Sequence, residues 1–102
     1  MGIDVFVLDT GWYGKTGDWE VDRTRFPEGL EPIRRKLEGY GMQLGLWFSP
    51  AAAAITSALH QAYRPCVFWR NGVESQPHPV WETEASRNFC LVSDYADAFA
   101  EQ

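Results

Sequence analysis

The chain has 102 residues, of which 45% are hydrophobic and 23% are charged, a balance typical of at most one globular domain and not of a disordered segment. The formal net charge of −5 leaves no basic face to hold phosphates, so nucleic acid and anionic membrane surfaces are not expected partners and a neutral ligand fits better. Its apolar runs are far shorter than the roughly 18 to 20 residues that cross a bilayer, so no transmembrane span is expected.

The first predicted element is a short strand within residues 4–9. Its apolar run, Val5–Leu8, contains two β-branched residues and an aromatic one, which is typical of a strand buried on both faces of a parallel sheet. The following stretch, Gly11 to Pro27, mixes glycine, charged residues and aromatics without a period. We expect it to be a long, ordered loop after the strand.

An amphipathic helix and a second strand come next. Leu30, Ile33, Leu37 and Tyr40 recur at helical spacing, and Pro32 lies in the first turn, where its missing N–H costs little. Residues 42–48 then predict a second buried strand, which ends at the following Ser-Pro pair. The order so far is strand, loop, helix, strand.

The second half of the chain predicts two helices and a turn between them. Ala51 to Tyr63 is alanine-rich with apolar residues on one helical face, and Pro65 ends it. The Asn71-Gly72 pair favours a tight hairpin turn, followed by an irregular proline-containing connection. Residues 89–92 are expected to be extended, and Ser93 to cap a terminal helix.

The two cysteines carry little functional information in the sequence. Cys66 and Cys90 are 24 positions apart and have no histidine or cysteine at metal-ligand spacing. They predict neither a zinc site nor a disulfide framework, and no other cofactor is indicated. Together with N-terminal residues that do not resemble a signal peptide, they favour a cytoplasmic location.

The fold expected from this order is α/β, an incomplete segment of a (β/α)8 TIM barrel with about two to three βα units. The chain begins within four residues of a buried strand and stops inside a helical pattern, whereas a complete barrel needs on the order of 200 to 250 residues. Residues 1–102 are therefore expected to be part of a catalytic domain of a longer protein.

Asp9 and Trp47 are the first candidate functional residues. Each lies at the end of a predicted strand, and the carboxyl ends of barrel strands build the active site. An indole lying against the C–H face of a sugar, with carboxylate oxygens accepting hydrogen bonds from its hydroxyls, would form a sugar pocket. The alternatives are a loop-bracing or helix-capping Asp9 and a Trp47 buried in the barrel wall.

The loop between them adds an indole and further carboxylates. Trp19 is surrounded by Asp18, Glu20 and Asp22, and glycosidases commonly use two carboxylates about the scissile bond. From spacing alone, Asp18 and Asp22 are more often residues that brace a loop.

The remaining candidates are two histidines and two tryptophans. Neither His60 nor His78 lies near a nucleophile motif, and both are expected to be structural or exposed. Trp69 and Trp81 could extend an aromatic rim, although packing in the core or in the hairpin is the better interpretation.

Four segments together resemble the catalytic barrel of the family 36 glycoside hydrolases, the α-galactosidase or melibiase group. They are Phe6–Gly14 (FVLDTGWYG), Gly17–Asp22 (GDWEVD), Phe26–Leu30 (FPEGL) and Gly45–Pro50 (GLWFSP). Each piece alone is weak, but their order and spacing extend over about half of the chain and make a fairly specific match.

The resemblance implies roles for particular residues. In the family, a strand-end Asp-Asp-Gly-Trp motif binds galactose hydroxyls and a later tryptophan lines the sugar site, which carries over to Asp9 and Trp47. Thr10 stands where the second aspartate is expected, and a neutral hydroxyl supplies no charged acceptor. The segment Ser49-Pro50-Ala51-Ala52 also departs from the more usual Glu-Pro-Glu-Met of the family, which implies a divergent subgroup. The expected substrate-binding residues are Asp9, Thr10, Trp12, Trp19 and Trp47.

The resemblance also implies that catalysis depends on residues outside this chain. Family members are retaining enzymes whose nucleophile and general acid/base are aspartates on later segments, so the chain alone is expected to be inactive. The parent protein would hydrolyse terminal α-galactosides or related α-glycosides, with an oligosaccharide as its partner and possible homo-oligomerisation.

Two other interpretations remain open. One is a noncatalytic carbohydrate-binding or degenerate barrel protein, motivated by Thr10 and by the catalytic carboxylates that the chain does not contain. The other is that these residues are the whole gene product, which would then be poorly soluble or molten because its sheet edges are unprotected.

Overall fold

A computed structural model describes residues 2–80 and 84–102 of the chain. The chain divides into two compact units, each built from two stretches of sequence. The first unit comprises Met1–Gly14 and Glu20–Phe48, and the second comprises Lys15–Trp19 and Ser49–Gln102.

The first unit contains one β–α–β crossover. Strand β1 (Val5–Leu8) pairs in parallel with β4 (Gln43–Leu46), and helix α1 (Glu31–Glu38) lies between them in sequence and packs on β4. The register joins Val5 to Gln43 and Leu8 to Leu46. The predicted strand, helix, strand order and the parallel pairing are confirmed.

Helix α1 forms for local reasons. Pro32 lies in its first turn, and Ile33 and Leu37 are half-buried on one face. Arg34 forms ion pairs with Glu31, at 2.7 Å, and with Glu38, which add modest i to i+3 and i to i+4 support on the exposed face.

The prediction that β1 is buried on both faces is wrong for this structure. Val5 and Phe6 are each 48% exposed and Val7 is 57% exposed. Within residues 2–80 and 84–102, β1 has β4 as its only paired strand and belongs to a two-stranded sheet, so too little structure surrounds its side chains to cover them.

The expected long loop at Gly11 to Pro27 contains a hairpin instead. Strand β2 (Tyr13–Lys15) pairs with β3 (Asp18–Val21), and Gly17 has φ +99° in the turn between them. A positive φ of this size is accessible to glycine at no steric cost, which makes the tight turn possible.

The second unit is built on a three-stranded antiparallel sheet. Its strands are β5 (Ala52–Ala54), β9 (Ala85–Asn88) and β8 (His78–Pro79), with β9 in the centre. A separate hairpin joins β6 (Trp69–Arg70) to β7 (Val73–Glu74). Asn71 and Gly72 have φ 52° and 76°, which confirms the predicted tight turn.

Part of the predicted alanine-rich helix is a strand. Helix α2 covers only Ala58–Ala62, whereas Ala52–Ala54 pairs with β9 and is almost completely buried. On its other side, the Ala54 N–H donates to the Thr16 carbonyl at 2.8 Å. Tertiary pairing on both edges therefore overrides the helical propensity of alanine.

The last part of the chain contains the predicted strand and capped helix, but the strand lies earlier in the sequence than predicted. The extended segment is Ala85–Asn88, whereas Leu91 and Val92 lie in a turn, so the strand predicted at residues 89–92 was placed too late. Helix α3 (Asp94–Ala100) is capped by Ser93, whose Oγ accepts from the Tyr95 N–H, and this cap is confirmed.

One hydrophobic cluster forms the core of the second unit. Its buried members come from strands, helices and the segment between them: Ala53, Leu59, Val67, Phe89, Tyr95 and Ala98. Phe89 stacks on Tyr95 with ring centroids 4.3 Å apart, while Tyr63, Cys66 and Phe99 pack against the cluster.

Candidate functional site

Asp9 and Trp47 lie at the same end of two neighbouring parallel strands. Leu8 is paired with Leu46, and the Trp47 N–H donates to the Leu8 carbonyl at 3.0 Å. The next residues, Asp9 and Trp47, therefore leave β1 and β4 side by side. The predicted juxtaposition at one rim of the sheet is confirmed.

Asp9 presents an exposed carboxylate at this rim. Its Oδ1 accepts a hydrogen bond of 2.7 Å from the N–H of the next residue, the half-buried Thr10. That local bond orients the carboxylate and leaves acceptor capacity, because an ionised carboxylate offers about four lone-pair sites. Asp9 can therefore accept hydrogen bonds from ligand hydroxyls.

The buried Trp12 contacts the backbone and side chains at the end of β4. It is only 2% exposed, and its indole Nε1–H donates to the Trp47 carbonyl at 3.0 Å. Its ring meets those of Tyr13 and Phe48 edge to face, with centroids 5.2 Å apart in each case. These contacts fix the backbone at the end of β4, and with it the position of Trp47.

Trp47 and Phe48 form the aromatic part of the rim. Trp47 is half-buried and Phe48 is 40% exposed, so both residues retain surface that solvent reaches. A partly exposed indole can pack against the C–H face of a sugar ring.

A bracing network holds the loop after β3. The Asp22 carboxylate accepts from the Thr24 N–H at 2.9 Å and lies 3.6 Å from the Arg25 guanidinium, which in turn donates to the Gly11 carbonyl at 3.1 Å. The hydrogen bond from Thr24, followed by contributions from Arg25, holds the pKa of Asp22 below its usual value. The prediction that Asp22 braces the loop is confirmed.

Asp18 and Trp19 are structural in the second unit. The Asp18 carboxylate accepts from the N–H groups of Ala58 and Leu59, at 2.9 and 3.2 Å, and so caps the start of α2. Trp19 is 9% exposed and meets Phe99 edge to face at 6.5 Å. Asp18 therefore has a structural role, but it caps a helix instead of bracing its own loop as expected. The predicted contact of Trp19 with substrate stays a prediction.

A charged cluster around the buried His60 was not anticipated from the sequence. The guanidinium of Arg87 lies 3.4 Å from His60 Nε2 and 3.9 Å from the Glu74 carboxylate, which also pairs with Arg64 at 3.1 Å. Burial, and then the charge of Arg87, lower the pKa of His60, a residue that is 3% exposed. His60 is structural, as predicted, but no local pattern links these distant residues.

The other aromatic and histidine candidates contribute less. Trp69 lies in the β6–β7 hairpin and is 56% exposed, and His78 is exposed on β8. Trp81 lies outside the described residues.

A shallow cleft of about 340 Å³ in the second unit contains none of the five predicted substrate-binding residues.

Across residues 2–80 and 84–102, no group of three or more histidine, cysteine or carboxylate side chains is arranged to hold a metal. Over the same residues, no helix has the length and apolar character needed to cross a membrane.

Comparison with known families decides the identity of the chain. Residues 1–97 match the family model described as Melibiase. The chain belongs to the melibiase family. The family resemblance predicted from the four sequence segments is thereby confirmed.

Proteins similar to this chain include α-galactosidases. α-Galactosidase AgaA of Geobacillus stearothermophilus is 34% identical over 103 residues, which cover 94% of this chain. A crystal structure of an AgaA variant with raffinose has a TM-score of 0.70 and 28% identity over 98% of this chain. The α-galactosidase of Thermus thermophilus, solved with stachyose, shares the fold with a TM-score of 0.76 and 24% identity over 98% of the chain.

This melibiase segment is short compared with its relatives. It spans 13% of AgaA, 14% of the AgaA variant chain with raffinose and 22% of the Thermus thermophilus chain.

Proposed function

We propose that the parent protein is a retaining glycoside hydrolase that acts on terminal α-galactosides or related α-glycosides, and that this segment forms one wall of its sugar site. The observation that carries the proposal is the pairing of Leu8 with Leu46, which brings Asp9 and Trp47 out side by side. An exposed carboxylate and a half-buried indole on one rim match the two chemistries of a sugar ring, its hydroxyls and its C–H face.

We further propose that β1, α1 and β4 are one part of a (β/α)8 barrel in the parent protein. The parallel pair with a helical crossover supports this, because that is the repeating unit of such barrels. The exposure of Val5, Phe6 and Val7 supports it as well, since barrel strands are covered by interior side chains on one face and by helices on the other.

Within this site we assign direct and indirect roles. Asp9 accepts hydrogen bonds from sugar hydroxyls and Trp47 packs against the ring. Trp12 is too deeply buried to offer a face in the first unit, and its hydrogen bond to the Trp47 carbonyl gives it a positioning role. Thr10 adds a neutral hydroxyl where a second carboxylate is usual in the family, which should shift preference among related sugars.

The direct test uses the full-length protein that carries this segment and nitrophenyl α-galactoside. Asp9→Asn should lower kcat/KM by about 10- to 150-fold, because a hydrogen bond to a charged acceptor contributes about 1.5 to 3 kcal/mol. Glu20→Gln is the matched control, since Glu20 is an exposed carboxylate on the neighbouring hairpin, and its kcat/KM should stay within about twofold. An Asp9→Asn variant as active as the wild type would remove the role given to Asp9.

A second candidate function is noncatalytic carbohydrate binding, which Thr10 favours because it removes one charged contact expected at the rim. Turnover separates the two candidates. A wild-type protein that binds galactose in calorimetry but hydrolyses neither the α-galactoside nor its N-acetylgalactosamine analogue would support binding alone and would exclude the enzymatic proposal.

A further inference from the structure

Cys66 and Cys90 are brought together by the fold of the second unit, although 24 positions separate them in sequence. Val67 and Phe89 form an antiparallel bridge, so the next opposite pair along that ladder is Cys66 with Cys90. The Cys90 N–H donates to the Cys66 carbonyl at 2.9 Å, which confirms the register. This contact connects a short 3-10 helix, Arg64–Cys66, with the segment before α3.

The geometry of opposite residues suits a disulfide. Residues joined by a backbone hydrogen bond across antiparallel segments have Cα atoms about 5.5 Å apart. Disulfides span Cα separations of about 4.4 to 6.8 Å. The backbone separation of the two cysteines is therefore within disulfide range without a change in register.

Access and surroundings also permit reaction. Both cysteines are free thiols and both are half-buried, so neither is sealed in the core. The Cys90 carbonyl is fixed by the Ser93 hydroxyl, which donates to it at 2.5 Å, and Cys66 packs against the core cluster. The two thiols are therefore held on ordered backbone at both ends.

We propose that Cys66 and Cys90 form a dithiol site that closes to an intramolecular disulfide on reaction with a small-molecule disulfide such as oxidised glutathione. One cysteine thiolate attacks a glutathione sulfur, breaks its S–S bond and releases one glutathione thiolate. The second cysteine thiolate then attacks the protein sulfur of the mixed disulfide and releases the other glutathione. The protein loses two electrons and two protons, and the oxidant is reduced to two glutathione molecules.

Tryptic mapping of the oxidised full-length protein tests this site. Arg70 and Arg87 lie between the two cysteines, and the Arg64–Pro65 bond resists trypsin, so one peptide ends at Arg70 with Cys66 and another begins at Asn88 with Cys90. After incubation with oxidised glutathione and blocking with N-ethylmaleimide, we expect these two peptides to be recovered as one linked species. Dithiothreitol should separate them.

Two variants and an unfolded control make the result decisive. Cys66→Ser should leave Cys90 as a stable mixed disulfide with glutathione, and Cys90→Ser should do the same for Cys66. In 8 M urea, the rate of closure should fall at least about tenfold, because the register that holds the thiols together is lost.

Three outcomes would overturn the proposal. They are recovery of both wild-type cysteines only as glutathione adducts or maleimide adducts, linkage of either one to a different cysteine, and equal closure rates in the native and unfolded protein.

Discussion

Replacing Gly17 with alanine should destabilise the second unit by about 2 to 5 kcal/mol. Gly17 has φ +99°, and a Cβ there would lie 2.8 Å from the Ala53 Cβ and 3.1 Å from both the Ala53 Cα and the Ser57 Oγ. The backbone conformation contributes about 1 to 2 kcal/mol to the loss, and the collision with the backbone of β5 about 1 to 3 kcal/mol.

Alanine substitutions at two other glycines separate the backbone contribution from the steric one. Gly72 has φ +76° with open space around the added Cβ, so Gly72→Ala should lose only the conformational part, about 1 to 2 kcal/mol. Gly14 has neither a positive φ nor a neighbour within 4 Å, so Gly14→Ala should stay within about 0.5 kcal/mol of the wild type.

The assay is urea unfolding of the full-length protein that carries this segment, followed by tryptophan fluorescence because Trp19 is buried in the second unit. The expected order of unfolding midpoints is wild type and Gly14→Ala together, then Gly72→Ala, then Gly17→Ala. Equal losses for Gly17→Ala and Gly72→Ala would refute the argument that the hairpin turn packs directly on β5.

Three further predictions concern single side chains. Asp18→Ala should destabilise the protein by about 1 to 2 kcal/mol in the same assay, because it removes the acceptor of two N–H groups at the start of α2. Glu20→Ala, on the same strand, is the control and should have almost no effect. Arg34 and Arg35 lower the pKa of Glu31 to about 2. The ionised Glu31 therefore stabilises the fold above its ordinary pKa of 4.5, and this contribution is lost as pH falls towards 2. A carboxyl titration by NMR would measure the pKa. Burial raises the pKa of Tyr95 to about 12, so the fold loses stability as pH rises from 10 towards 12. Urea titrations across this pH range should show that loss in the wild type and not in Tyr95→Phe.

Controls and contrary results differ for the three. Loss of stability in Asp18→Ala no greater than in Glu20→Ala would contradict the capping role. Glu31→Gln should remove the acid-dependent change, and a Glu31 that titrates near 4.5 would show that its ion pairs do not persist in solution. Tyr95→Phe should leave stability at neutral pH unchanged or raised, because no partner for the Tyr95 hydroxyl is found among residues 2–80 and 84–102. A clear loss there would indicate a partner.

Local patterns predicted the first unit well. The apolar run at Val5–Leu8 and the helical spacing of Ile33 and Leu37 each depend on neighbouring residues, and both elements form where expected. The pairing of the strands followed from the helical crossover between them, which favours a parallel arrangement. The predicted meeting of Asp9 and Trp47 followed in turn from the parallel register.

Predictions failed where the environment of a segment comes from distant parts of the chain. Ala52–Ala54 has the composition of a helix, but β9 and the carbonyl of Thr16 supply hydrogen bonds on both of its edges. The apolar pattern of β1 indicated burial, yet its side chains are exposed because burial depends on what else surrounds the strand.

The sequence by itself determined the chemistry available at the rim and the family of the chain, because strand ends, helix caps and motif residues are properties of short segments. Only the tertiary structure decided how each residue is used. It buries Trp12 and joins it to the Trp47 carbonyl, engages Asp18 in capping α2, and aligns Cys66 with Cys90. These roles depend on contacts between residues 24 or more positions apart, which local propensity does not specify.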